Sequence, residues 1–137
     1  MSILAILVLL AVAWWALTFG QLPNPLNPLR SRTCQGRQWR RAFPGASRKQ
    51  IREFLSVFTS AFAFRDTDIL KFRPDDQLLG IYRVLYPSKW TGDAMEFETL
   101  AKDLRTRFGI VLEDIWDERM TLGALFAHIQ QARPTTR

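Results

Sequence analysis

The chain has 137 residues, 47% hydrophobic and 23% charged, with a formal net charge of +6, a single cysteine and a single histidine. That length allows one small domain with appendages. Cys34 alone excludes an internal disulfide and a cysteine-rich metal site, and with His128 far from it in sequence we assign no Cys-His catalytic pair and no metal site.

The charge is unevenly laid out. Eight basic residues lie between Arg30 and Arg52 with no acid among them, whereas from Glu53 onward thirteen acidic residues face eleven basic ones. A strongly basic segment thus precedes a mildly acidic domain, and only the former is suited to phosphate-bearing surfaces.

Ile3 to Phe19 reads ILAILVLLAVAWWALTF, broken only by Thr18. As a helix this run rises about 26 Å, close to a ~30 Å hydrocarbon core, and it predicts a single transmembrane anchor over 1–20. Trp14 and Trp15 suit an interfacial aromatic belt. A cleaved signal peptide is disfavoured because nothing positive precedes Ile3. The arginines follow the run instead, which predicts a single-pass protein of the bacterial inner membrane, N-terminus outside and C-terminal domain cytoplasmic.

The stretch 21–46 reads as a linker. Pro23, Pro25 and Pro28 favour an extended spacer, and Arg30, Arg32, Arg37, Trp39, Arg40 and Arg41 form a basic, aromatic collar suited to anionic headgroups. Nucleic-acid binding by the same residues is the sharper alternative, disfavoured because headgroups beside an anchor already supply phosphate.

A helical domain is predicted over 47–130. Ser47 and Gln50 have the spacing of a capping box, and Ile51, Phe54, Leu55, Phe58 and Phe62 follow at helical intervals. Asp66 to Asp68 mark a turn or short helix, and Pro74 suits the first position of a second helix, with Asp75 and Asp76 in its first turn and Pro87 at its end. Its apolar side would be Leu78, Leu79, Ile81, Tyr82, Leu85 and Tyr86. Asp93 and Glu96 pattern another capping box, opening a helix whose Phe97, Leu100, Ala101, Leu104 and Phe108 share one face and which Gly109 stops. A short turn of helix with Ile115 and Trp116 follows, then a helix capped by Thr121 and packed through Leu122, Leu125, Phe126 and Ile129. Residues 131–137 read as a flexible tail.

The phrase Gly92-Asp93-Ala94-Met95-Glu96-Phe97, a helix ending Arg107-Phe108-Gly109-Ile110, the acidic turn Glu113-Asp114 and Met120-Thr121-Leu122-Gly123-Ala124-Leu125 resemble the second half of an acyl carrier protein. The resemblance implies an all-α fold, here a small acyl-carrier-like four-helix bundle behind the transmembrane helix. Where that family esterifies a serine to phosphopantetheine, this chain has Ala94, whose methyl group forms no phosphate ester. The likeness is therefore to the serine-less branch, and no cofactor is expected.

The acidic run Glu113, Asp114, Asp117 and Glu118 lacks a base or nucleophile partner in sequence, so no catalytic residue is assigned. The reading is a non-catalytic, membrane-anchored adaptor that docks a protein partner through Asp93, Met95, Glu96, Lys102, Arg105 and Trp116. Its alternatives are a carrier modified at Ser88 or Thr91 and a tethered nucleic-acid binder.

Overall fold

The computed structural model describes residues 3–19, 27–86 and 95–133. These form eight α-helices and one 3-10 turn, and among the described residues there is no strand. Helix α1 is Ile3–Phe19, α2 Asn27–Arg30, α3 Gly36–Ala42, α4 Arg48–Ala61, α5 Leu78–Leu85, α6 Met95–Phe108, α7 Leu112–Ile115 and α8 Leu122–Ala132, with the 3-10 turn at Asp66–Lys71.

Helix α1 has 17 residues, and among the described residues no helix is long and apolar enough to cross a membrane. Seventeen residues rise about 26 Å, below the ~30 Å of hydrocarbon that a span must cover. This overturns the transmembrane anchor, and with it the single-pass topology and the inner-membrane localisation. Trp14 and Trp15 are both exposed, and no described side chain of α1 belongs to the core.

The core centres on α4. Ser47 accepts the amide of Gln50 at 3.1 Å while the Gln50 side chain accepts the amide of Ser47, so both ends of the capping box close. Ile51, Phe54, Leu55, Phe58 and Phe62 are all buried. Complete burial of Phe54 and Phe58 contributes about 1.5–3 kcal/mol each. Leu100 and Leu104 from α6, with Leu122, Leu125, Phe126 and Ile129 from α8, close over them. Helix α6 has Glu96 and Glu98 in its first turn and Arg105 and Arg107 in its last, matching the sign of its macrodipole at each end. It stops where Gly109 takes φ 68°. Thr121 caps α8 by accepting the amide of Ala124 at 3.1 Å.

Two corrections follow. The described part of 21–46 is not a linker: Leu29 and Trp39 lie in the same core as α4. Trp39 is fully buried, its indole N–H donates to the Phe72 carbonyl at 2.8 Å, and the Gln35 amide donates to Leu70 O at 2.7 Å. The stretch 27–46 is a strap across the bundle, and Trp39 is not available to a membrane surface. The second concerns α5, which starts at Leu78 rather than at Pro74, because the backbone before it has other partners. Pro74 O and Asp76 O accept the amides of Gly123 and Leu122 at 2.7 and 2.9 Å, and the Leu78 amide donates to Met120 O at 3.1 Å. The starts of α5 and α8 are thereby clasped together, each supplying acceptors for amides that a helix leaves open. Gly123 is required at the clasp, since a Cβ there would lie 2.8 Å from Pro74 O.

Candidate functional site

Phe97, in the first turn of α6, is the junction of three aromatic contacts: Phe62 on the core side at 5.5 Å, Tyr82 of α5 at 5.1 Å and Trp116 just after α7 at 5.3 Å, edge to face. Phe62 is buried, but Phe97 and Tyr82 are half-buried and Trp116 is 37% exposed. The three helices diverge here and leave a groove of about 440 Å³, floored by Leu79, Tyr82, Phe97 and Ala101 and walled by Leu112 and Trp116. Glu98 and Glu113 stand on its rim.

The groove arises from a surplus of apolar residues. Helix α5 has only eight residues, LLGIYRVL, and can turn one face to the core. Leu78 and Ile81 take that face, which leaves Leu79 and Tyr82 half-buried beside it. Helix α7 is a single turn and ends before Trp116, whose extended backbone (φ −61°, ψ 131°) sets its ring against Phe97.

The sequence-predicted docking residues are only partly gathered here. Trp116 forms a wall of the groove. Met95, Lys102 and Arg105 are exposed on α6 but do not line it. Glu96 accepts a hydrogen bond from the Tyr86 hydroxyl and so is turned toward α5, while its other oxygen is buried without a hydrogen-bond partner. Asp93 and Ala94, the proposed cap and the position of the missing serine, lie outside the described residues, as do Ser88 and Thr91. Leu79, Tyr82, Leu112, Glu98 and Glu113 were not singled out as site residues by sequence, although the excess of apolar positions on so short a helix as α5 is a signal that one face cannot absorb them.

The basic collar divides into two sets. Arg32 Nη1 meets Asp76 Oδ2 at 2.6 Å, and the same oxygen accepts the Arg73 amide at 2.7 Å. Arg30 Nε lies 3.7 Å from Asp68, and Lys71 Nζ lies 3.5 Å from that buried carboxylate. Arg30 and Arg32 are thus fold contacts, which corrects their assignment to a membrane surface, whereas Arg37, Arg40 and Arg41 are exposed. Cys34 is exposed, and among the described residues no three His, Cys, Asp or Glu side chains gather as a metal site.

Comparison with protein-family models, with curated proteins and with solved structures finds no match to this chain.

Proposed function

We propose that the chain is a non-catalytic, acyl-carrier-like interaction module without a prosthetic arm, and that it docks an amphipathic helix of a protein partner in the groove between α5, α6 and α7. The supporting observation is Trp116, held edge-on to Phe97 yet 37% exposed above an apolar floor. A tryptophan so placed is a frequent anchor of binding energy, and a contiguous uncovered apolar surface marks an interaction site. The partner's chemistry follows from the rim: Glu98 and Glu113 favour lysine or arginine flanking the apolar face that enters. The absence of a prosthetic arm rests on Ala94, which has no hydroxyl to esterify.

Calorimetric titration with two synthetic amphipathic helices of equal apolar face, one flanked by lysine and one by glutamate, tests the reading. The lysine-flanked peptide is expected to bind, and Trp116→Ala or the pair Glu98→Lys with Glu113→Lys to weaken it by about tenfold or more. Equal affinity for both peptides, or binding that survives Trp116→Ala, removes the groove from consideration. Intact mass after incubation with a phosphopantetheinyl transferase and coenzyme A is expected to stay unchanged, and a gain in mass would restore the carrier reading.

A further inference from the structure

Apart from the α5–α7 groove, and sharing no lining residue with it, a cavity of about 180 Å³ is bordered by α3 and the first two turns of α4. Arg40 of α3 and Arg48 and Arg52 of α4 line it, over Ile51 and Leu70, with Cys34 at the edge. Ile51 is buried and Leu70 half-buried, so the three arginines share the cavity with apolar surface.

Arg40, Arg48 and Arg52 differ in their charge partners from Arg30, Arg32 and Lys71. Arg30, Arg32 and Lys71 each have a carboxylate within 4.0 Å, Asp68 or Asp76. Among the described residues no carboxylate is within that distance of Arg40, Arg48 or Arg52, although Asp and Glu are plentiful elsewhere in the domain. Helix α4 has no acid in its first turn and begins Arg48-Lys49, which sets like charge against the positive end of its own dipole. The amides of Ser47 and Gln50 are already used by the capping box, so an anion here would be held by the side chains.

We infer that this cavity binds a phosphate monoester with an apolar body, its phosphoryl oxygens on Arg40, Arg48 and Arg52 and its first carbons against Ile51 and Leu70. Guanidinium groups hold phosphate oxygens bidentately and are weakly hydrated, which suits them to a site with an apolar floor. A nucleic-acid strand presents phosphates in a line, and its binding would draw on Arg37 and Arg41 as well, whereas Arg40, Arg48 and Arg52 line a single cavity.

The test titrates the full chain at low ionic strength with hexyl phosphate, with inorganic phosphate, and with phosphatidylcholine vesicles with or without phosphatidic acid. Hexyl phosphate is expected to bind more tightly than inorganic phosphate. The Arg48→Ala/Arg52→Ala variant is expected to weaken that binding by about tenfold or more, and Arg37→Ala/Arg41→Ala to change it by less than about twofold. All four arginines are exposed, so thermal unfolding of both variants should match the parent chain, and Arg48→Lys/Arg52→Lys, which keeps charge but loses the planar fork, should fall between. If only phosphatidic-acid vesicles bind, with the same dependence on Arg48 and Arg52, the ester is a headgroup; if soluble hexyl phosphate binds, a free ester suffices. Binding of neither, or equal losses from the two arginine pairs, overturns the inference.

Discussion

Trp39 and Trp116 make two aromatic clusters with different fates. Around Trp39, the rings of Phe43, Phe54 and Phe126 lie within 6.0 Å, and the indole N–H has a carbonyl partner, so the cluster is complete. Trp116 meets the ring of Phe97, which in turn meets Tyr82, and beside these rings lies the groove. The strap 27–46 covers the first cluster, and among the described residues no segment covers the second. Aromatic content is similar in both; what separates a structural tryptophan from an available one is whether a further layer of chain lies over it.

The largest effect should come from removing the closed cluster's centre. Trp39→Ala is expected to cost about 3–5 kcal/mol in a urea titration, as for other large core truncations, and a cost near zero would mean that the strap does not belong to the fold. Next is the ion pair that fastens the strap. Asp76→Ala leaves Arg32 and the Arg73 amide without their acceptor and should cost about 1.5–3 kcal/mol, with a coupling to Arg32→Ala above about 0.5 kcal/mol in a double-mutant cycle. Additive losses would deny that the two side chains act together. At the clasp between the starts of α5 and α8, Gly123→Ala forces a methyl group against Pro74 O and is expected to lower stability by about 1–3 kcal/mol, read as a drop in Tm. The open cluster should respond least. Trp116→Ala is expected to cost no more than about 1 kcal/mol while weakening peptide binding by about tenfold or more, and a loss of stability as large as that of Trp39→Ala would place it in the core.

Local signals are legible in the chain. Ser47 with Gln50, Thr121 at the start of α8 and Gly109 at the end of α6 each act within a few residues, and each is found where its residue type requires. Long-range pairings are not. Arg32 reaches Asp76 across 44 positions and Trp39 reaches Phe72 across 33, so nothing near either residue distinguishes a strap from a basic linker. Pro74 misled for the same reason, since its carbonyl is committed to Gly123. Helix α1 shows the limit of composition, as its apolar run is real but ends short of a span. Of the groove, Trp116 could be singled out in advance, but Tyr82 and Phe97 have the same spacing as buried positions, and only the divergence of three helices shows them to be half open.

The clasp between Gln77 and Thr121 has a further consequence. Leu79, Tyr82, Phe97, Glu98, Ala101, Leu112, Glu113 and Trp116 all fall between those two residues. The whole lining of the groove lies on one excursion of the chain whose ends are pinned side by side, like a purse drawn at the neck. The groove's lining can be altered without untying that knot, whereas Leu100 and Leu104 of the same excursion are buried in the core and fasten it to the rest of the bundle.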